Sequence, residues 1–161
     1  MKSETQLQNA IELHGNMIRK LCFLHLKQKA DVDDIFQDVF LKYYQSDSEF
    51  NSSEHEKAWL IRVTINACKD NLTSWFHRKV ELKDDLQALH IEAPKEDNVL
   101  LESILKLPKK YKNVIYLYYY EGYKTKEIAN ILEVKENTVS TWMRRAKDDL
   151  KGMLGGDYLE E

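Results

Sequence analysis

One stretch near the C-terminal end of the chain combines side chains that hydrogen-bond bases with side chains that bind phosphate. At helical spacing, these side chains share one side of a helix. They are Asn137, Ser140, Thr141, Arg144, Arg145 and Asp148. Amide and hydroxyl groups can hydrogen-bond base edges in the major groove, and Arg binds guanine or phosphate. The pattern predicts a DNA-binding helix, with an ordinary amphipathic hairpin as the alternative.

The elements that would position this face have the layout of a helix-turn-helix, over residues 123–147. Thr125 is suited to cap the first helix, and the second is expected to begin near Asn137 or Thr138. The residues expected to face inward are Ile128, Ala129 and Leu132, then Val134 at the corner, then Val139, Met143, Ala146 and Leu150.

Two residues of this motif depart from the simplest pattern. Glu133 stands in the turn where many such motifs place a left-handed Gly, at a cost of about 1 kcal/mol. Trp142 lies beside the apolar stripe, which favours packing against the core over contact with DNA.

A second candidate nucleic-acid surface lies on an earlier helix, expected near Glu56 to Arg78. Its buried stripe is predicted to be Ile61, Ile65, Cys68 and Leu72. The opposite stripe is Arg62, Asn66, Lys69 and Thr73, with Trp59 and Val63 beside it. Amide, basic and aromatic groups together suit single-stranded DNA, in which a displaced base is held by hydrogen bonds and apolar walls.

Between these surfaces and the N-terminus lies an acidic amphipathic helix, expected over Val32 to Gln45. Its inward arc is Ile35, Phe36, Val39, Phe40 and Tyr43, and its outward residues are Asp34, Gln37, Asp38, Leu41 and Gln45. An exposed Leu among acids predicts a docking surface, and a solvated acidic face is the alternative. The acids lack the spacing of a calcium loop, and the five His are scattered, so no metal site is predicted.

Composition favours an all-helical chain, since it has only five Gly and two Pro. A further helix is expected near Ser3 to Gln28, and a loop over Ser46 to His55. In the C-terminal half, Pro108 fits the first turn of another helix, and a break is expected at Gly122. The predicted organisation is two small helical domains joined by a flexible linker: 1–78, linker 79–97, 98–154, and a tail 155–161.

Charge is segregated along the chain, although the net charge is only −3. Acids crowd the segment from Asp31 to Glu56, where Lys42 is the only Lys or Arg, and Lys and Arg dominate 57–83 and 106–147. This segregation predicts two kinds of partner surface. The absence of a signal-peptide or membrane-span pattern predicts a cytoplasmic protein, and Cys22 and Cys68 are expected to be reduced, packed thiols.

The C-terminal pattern resembles region 4 of extracytoplasmic-function (ECF) sigma factors. The resemblance is carried by Leu107-Pro108-Lys-Lys-Tyr111, by Val114-Ile-Tyr-Leu-Tyr-Tyr-Tyr-Glu-Gly122 and by the helix-turn-helix. It implies contacts with the minus-35 element from Asn137, Thr138, Ser140, Thr141, Arg144, Arg145 and Lys147. The family often opens the second helix with Pro-x-Gly-Thr-Val, whereas this chain has Lys135-Glu-Asn-Thr-Val139, so no base preference is transferred.

The N-terminal pattern resembles region 2 of the same family. Asp31 to Tyr44 resembles region 2.2, which implies that Asp34, Gln37, Asp38 and Leu41 bind the beta-prime clamp helices of RNA polymerase. Lys57 to Asp70 resembles regions 2.3 and 2.4, which recognise and melt the minus-10 element; the residues implied are Phe50, Trp59, Arg62, Asn66, Lys69 and Thr73. The loop from Phe50 to Glu56 matches the segment that captures a flipped base, and Ile61 stands where an aromatic residue is common.

The resemblance implies a promoter-recognition subunit that is not an enzyme and takes no cofactor, metal or small-molecule substrate. Its expected partners are core RNA polymerase (the beta-prime clamp helices and beta flap), promoter DNA and an anti-sigma factor. The linker would extend toward the RNA exit path. A free-standing helix-turn-helix repressor or activator would not need the acidic docking face, and a helical carboxylate metalloenzyme would hold bound metal. Both alternatives are open to experiment.

Overall fold

The computed structural model describes residues 1–79 and 98–155, with side chains described up to Asp70 and again from Val99. Every regular element in these ranges is helical, as predicted. The chain divides into two compact units, an N-terminal one over Met1–Ile91 and a C-terminal one over Glu92–Glu161. Apart from Lys79 and Gly155, the predicted linker and tail lie outside the described residues.

Within its described residues, 1–79, the N-terminal unit has three mutually packed helices, α1 (Glu4–His25), α2 (Lys29–Gln45) and α3 (Ser53–Lys79). Ser3 caps α1 by accepting a hydrogen bond from the Gln6 backbone N–H at 3.1 Å. The Gln6 side chain accepts the Ser3 N–H in return, at 2.8 Å. This reciprocal pair satisfies two backbone donors that the helix itself cannot, and it sets where α1 begins.

The core of the N-terminal unit lies where the apolar stripes of the three helices meet. Its fully buried residues include Ile18, Leu21 and Cys22 from α1, Val32, Ile35 and Val39 from α2, and Leu60, Ile61 and Cys68 from α3. Cys22 and Cys68 are free, buried thiols, as predicted. The pKa of the Cys22 thiol is raised mainly by a hydrogen bond with Cys68 and secondly by burial, so the protonated form is favoured.

Three boundaries in this unit differ from the predicted ones by three residues. Helix α1 ends at His25 instead of near Gln28. Helix α2 begins three residues early, at Lys29. Helix α3 begins at Ser53 rather than Glu56, so His55 is helical and the loop is 46–52. Ser52 caps α3, since its Oγ accepts from His55 N–H at 3.1 Å. The cap outweighs the polar composition that predicted a longer loop.

No helix among the described residues is long and apolar enough to cross a membrane.

Over residues 98–155, the part of the C-terminal unit that the structure describes, there are four helices and one π-helical turn. They are α4 (Asn98–Leu105), α5 (Lys109–Ile115), the π-turn (Tyr116–Tyr120), α6 (Thr125–Leu132) and α7 (Glu136–Leu154). Pro108 immediately precedes α5 instead of occupying its first turn, and its carbonyl accepts from Lys112 N–H at 3.0 Å. The predicted break falls at Gly122, where φ is +76°, a value that a side chain would make costly.

Helices α6 and α7 form the predicted helix-turn-helix, with small shifts. Thr125 is the first residue of α6 and not its cap; its Oγ1 donates to Glu136 Oε2 at 3.2 Å, which links the starts of the two helices. The second helix begins at Glu136, one residue earlier than predicted. On α6, Ile131 is buried at 3% exposure although the predicted inward set omits it, and Leu132 is half-buried.

The reason lies in how α6 meets its neighbours. The helix packs against both α7 and the π-turn, so its buried arc is wider on the Ile131 side than a single-neighbour stripe. The buried stripe of α7 is as predicted: Val139, Met143, Ala146 and Leu150. This stripe fixes which side of α7 remains exposed.

Glu133 adopts the left-handed conformation that its place in the turn predicted, with φ 59° and ψ 45°. We expect Glu133→Gly to raise the free energy of unfolding by about 0.5–1 kcal/mol, because Gly adopts the left-handed conformation without strain. The greater conformational entropy of Gly in the unfolded chain offsets part of this gain. Urea unfolding of the purified protein measures the change. The matched control is Asp149→Gly inside α7, expected to lower stability by about 1 kcal/mol. Equal destabilisation by both changes would contradict the prediction.

Candidate nucleic-acid interface

The outward face of α2 presents the four predicted docking residues together. Asp34, Gln37, Asp38 and Leu41 are all exposed, and Leu41 is 52% exposed. The inward arc is buried apart from Phe36, which is half-buried. An exposed apolar side chain therefore lies among exposed acidic ones, and this combination is typical of a protein-binding surface.

Beside this face, Arg19 of α1 braces α2. Its Nη1 donates to Asp33 Oδ1 at 3.0 Å, and its guanidinium lies 4.1 Å from the centre of the Phe36 ring. The two side chains are each about 40% exposed, so solvent screens the electrostatic attraction between them. The contact joins α1 to α2 at Asp33, one helical turn before the docking residue Gln37.

The α2–α3 loop ends in a cluster of aromatic rings. The Phe50 ring lies parallel to Tyr43, with centroids 6.1 Å apart, and meets Trp59 at 5.7 Å. The His55 and Phe50 rings are nearly perpendicular, with centroids 5.3 Å apart. Phe50 and Trp59 are each half-buried, so one part of each ring packs inward and another is accessible. Rings held in this way offer an apolar wall for a base.

A polar network lies against this cluster. Glu56 Oε2 accepts from the Tyr43 hydroxyl at 2.7 Å, and Glu56 Oε1 lies 3.1 Å from His14 Nε2. Glu56 therefore faces the interior of the unit, and it belongs to α3 and not to the preceding loop. Burial, then the Glu56 hydrogen bond, raises the pKa of the Tyr43 hydroxyl, which keeps it a donor at neutral pH.

Burial lowers the pKa of His14 below its ordinary 6.5, with Glu56 acting in the opposite direction. Lys57 also lowers it, and Glu54 raises it. Because the His14 pKa is lower in the folded protein, the unfolded chain takes up the proton at a higher pH than the folded protein does. The stability contributed by neutral His14 is therefore complete above pH 6.5, and it is lost as the pH falls from there through the folded-state pKa.

We accordingly expect the free energy of unfolding to fall as the pH is lowered from about 7.5 to about 5.5. His14→Gln should flatten this slope, whatever its effect on absolute stability, because glutamine has no proton to gain. Urea unfolding at several pH values measures the slope. The control His55→Gln, at an exposed position in the first turn of α3, should retain it. An unchanged slope in His14→Gln would contradict the assignment.

The outward stripe of α3 continues from the aromatic cluster. Trp59, Arg62, Asn66 and Lys69 follow each other at intervals of three and four, with Arg62 half-buried and the last two exposed. The Thr73 side chain lies outside the described residues. Ile61 is fully buried, so the position where the family often has an aromatic residue belongs to the core here and not to this stripe. The stripe unites an aromatic wall, an amide and two cations.

The outward side of α7 presents most of the predicted duplex contacts. Asn137, Ser140, Arg144 and Arg145 are exposed, and Thr138, Thr141 and Lys147 are partly exposed. Trp142 is half-buried, with Lys110 Nζ 5.5 Å from its ring centre, so it is neither a core residue nor fully exposed. The face can present hydrogen-bonding groups and cations to a groove and its phosphates.

Sequence reasoning missed an exposed aromatic surface beside this face. Tyr118, Tyr119 and Tyr120 of the π-turn are 38–45% exposed. Lys147 Nζ lies 5.7 Å from the Tyr118 ring centre and 5.8 Å from that of Tyr119. The rings therefore hold the Lys147 cation on their side of α7. The run of aromatic residues was visible in the sequence, but only the π-turn determines which rings point outward.

No three His, Cys, Asp or Glu side chains among the described residues come together as a metal site. The described part of the chain instead offers three faces made of hydrogen-bonding, aromatic and charged groups.

Two family models match the chain, one for each unit. The model described as Sigma-70 region 2 matches residues 10–75, and the model described as Sigma-70, region 4 matches residues 97–150. The first range contains the α2 and α3 faces, and the second contains the helix-turn-helix.

Curated relatives match over most of their length. The RNA polymerase sigma factor SigV of Bacillus subtilis is 30% identical over 144 residues, covering 87% of this chain and 86% of SigV. The ECF RNA polymerase sigma factor SigW of the same organism is 25% identical, covering 89% of this chain and 86% of SigW. The ECF sigma factor SigM of Mycobacterium tuberculosis is 26% identical, covering 88% and 74%.

Solved structures show the same fold. The sigma factor RpoE, crystallised with the anti-sigma factor NepR from Bartonella quintana, matches with a TM-score of 0.69 at 19% identity, over 94% of this chain and 98% of RpoE. CnrH, in complex with the cytosolic domain of CnrY, matches with a TM-score of 0.69 at 22% identity, over 96% and 91%. Family models on both units and a 30% identical sigma factor together place the chain in the sigma-70 family, as an RNA polymerase sigma factor of the extracytoplasmic-function type.

Proposed function

We propose that this sigma factor binds core RNA polymerase through the outward face of α2 and recognises a promoter through α3 and α7. Asp34, Gln37, Asp38 and Leu41 would dock on the beta-prime clamp helices. Their support is that all four side chains are exposed on one face of α2. Acidic groups around an exposed Leu give such an interface both charge complementarity and an apolar anchor.

At the minus-10 element, the α3 stripe and the aromatic cluster would act together. The observation that carries this proposal is the continuity of the stripe: Trp59 packs on Phe50 at one end, and Arg62, Asn66 and Lys69 continue from it. A displaced base would pack against the rings, Asn66 would hydrogen-bond to a base, and the cations would follow the phosphates. Thr73 is proposed to extend the stripe by its helical spacing alone.

At the minus-35 element, α7 would enter the major groove of the duplex. The proposed contacts are Asn137, Thr138, Ser140, Thr141, Arg144, Arg145 and Lys147. Exposure of the two Arg side chains opposite the buried stripe supports this orientation. Second helices of helix-turn-helix units bind DNA in this way.

Catalysis would remain with the polymerase, so we propose no enzymatic activity, cofactor or small-molecule substrate for the chain. Since its expected partners are polymerase and promoter DNA, we place its action in the cytoplasm. Control by an anti-sigma factor is supported by the RpoE structure of similar fold, which is a complex with the anti-sigma factor NepR.

The test is reconstitution with core polymerase, followed by run-off transcription from promoters selected in vitro with the holoenzyme. We expect stoichiometric co-purification with core polymerase and initiation at selected promoters that core alone ignores. Failure to bind core and to initiate would overturn the proposal. DNA binding by the free chain without any core binding would instead indicate a free-standing regulator.

A further inference from the structure

Lys2 lies almost buried beneath the α2–α3 loop, with only 9% of its surface exposed. Its Nζ donates to the Ser48 carbonyl at 2.5 Å, the Ser46 carbonyl at 3.3 Å and Ser46 Oγ at 3.2 Å. The three donors of an ammonium group are thus matched by three acceptors from one short loop. The Lys2 backbone N–H also donates to the Tyr44 carbonyl, at 2.8 Å, which holds the residue at the end of α2.

The same ammonium group faces two rings of the aromatic cluster. It lies 5.1 Å from the centre of Tyr43 and 5.3 Å from that of Phe50. A cation near two ring faces is stabilised by their quadrupoles, more strongly when it is withdrawn from water. Lys2 therefore contacts the polar side of the loop through Ser46 and Ser48, and its apolar end through Phe50.

These contacts make the loop conformation depend on the cation. Carbonyl groups of Ser46 and Ser48 converge on one point, an arrangement that a positive charge favours and that their mutual dipole repulsion otherwise opposes. Tyr43 cannot move to compensate, because its hydroxyl is held by Glu56. Without the ammonium group, the segment that sets the position of Phe50 loses its central donor.

We propose that Lys2 is a positioning residue that holds the loop Ser46–Phe50 in the shape that receives a displaced promoter base. The inference rests on the proposed function, because the loop has this task only if the α3 stripe binds the minus-10 element. Nothing in the sequence near Lys2 indicates the role, since its acceptors lie 44 and 46 residues away.

The test compares Lys2→Met, which keeps the aliphatic stem and removes the cation, with Lys20→Met, the same change at an exposed site on α1. Each holoenzyme is titrated with a single-stranded non-template minus-10 oligonucleotide, and with copies made abasic at each position in turn. We expect Lys2→Met to bind the intact oligonucleotide about tenfold more weakly, the size of one lost base stacking contact. The copy that is abasic at the position whose base enters the loop should bind wild type and Lys2→Met with equal affinity. Lys20→Met should match wild type throughout.

Two further measurements separate positioning from general stability. Hydrogen exchange of the free protein should show faster exchange of the amides in 46–50 in Lys2→Met, with α1 and α2 unchanged. Lys2→Arg, which keeps the cation, should restore part of the oligonucleotide affinity. Ser46→Ala, which removes only one acceptor, should show a smaller effect of the same kind and serves if Lys2→Met folds poorly.

The outcomes distinguish the two levels of the argument. If wild type discriminates one abasic position and the Lys2 and Ser46 variants discriminate it equally well, the role of Lys2 is overturned and the proposed function stands. A uniform loss on all oligonucleotides also overturns the positioning role. If wild type discriminates no position, the proposed minus-10 function fails, and the role of Lys2 fails with it.

Discussion

Asp38→Lys is expected to weaken binding to core RNA polymerase about a hundredfold, because a reversed charge in the middle of a complementary interface both removes an attraction and adds a repulsion. Asp38 is exposed on the outward face of α2, between Asp34 and Leu41 at helical spacing. The measurement is a titration of labelled core polymerase with the variant, and run-off transcription should fall in proportion. Raising the variant concentration should recover initiation, since the promoter-binding faces are untouched.

The matched control is Glu12→Lys, an equal change of charge at an exposed position of α1 in the same unit. It should bind core polymerase within a factor of about two of wild type, as expected for a charge outside the contact. Both variants should keep the thermal unfolding midpoint of wild type, because neither side chain is buried. Equal loss of affinity in the two variants would mean that total charge, and not the α2 face, determines binding.

Asn66→Ala is expected to slow formation of the open promoter complex about tenfold on duplex DNA, while binding to core polymerase stays at the wild-type level. The physical reason is the loss of a hydrogen-bonding amide from an exposed position between Arg62 and Lys69, where a separated base would be held. Unlike the α2 face, this position has no part in the proposed polymerase contact. The rate of open-complex formation, followed by permanganate reactivity of unpaired thymines, measures the effect.

A promoter melted in advance over the minus-10 element should restore most of the Asn66→Ala activity, because the strand separation has already been supplied. The control is Asn16→Ala, an exposed Asn on α1 that should open duplex promoters at the wild-type rate. Wild-type activity of Asn66→Ala on duplex and pre-melted promoters alike would contradict the assignment of Asn66.

Much of the architecture follows from local patterns in the sequence. Apolar residues at intervals of three and four predict the three N-terminal helices, the stripe of α7, and therefore which residues are left outward on α2, α3 and α7. The left-handed turn at Glu133 and the break at Gly122 also follow, because they depend on chain geometry within a few residues. Family resemblance then supplied the functional meaning of those faces, which periodicity alone leaves open.

Other features depend on how elements cross. Sequence periodicity identified Leu132 and not Ile131 as inward, but α6 has two neighbours, and Ile131 is buried while Leu132 is half-buried. Trp142 was expected in the core and is half-buried near Lys110, since a position at the edge of a stripe is decided by what lies opposite it. The outward side of the three consecutive Tyr residues is likewise a property of the π-turn.

Local patterns in the sequence specify the all-helical fold, the helix-turn-helix and the polar composition of each outward face, because helical periodicity relates residues within one or two turns. Tertiary packing, in contrast, turns Glu56 inward to Tyr43 and His14 and brings Lys2 to the loop ahead of Phe50. Those partners are separated by 13 to 46 residues along the chain. The angle at which α1, α2 and α3 pack brings them together, and no local pattern encodes it.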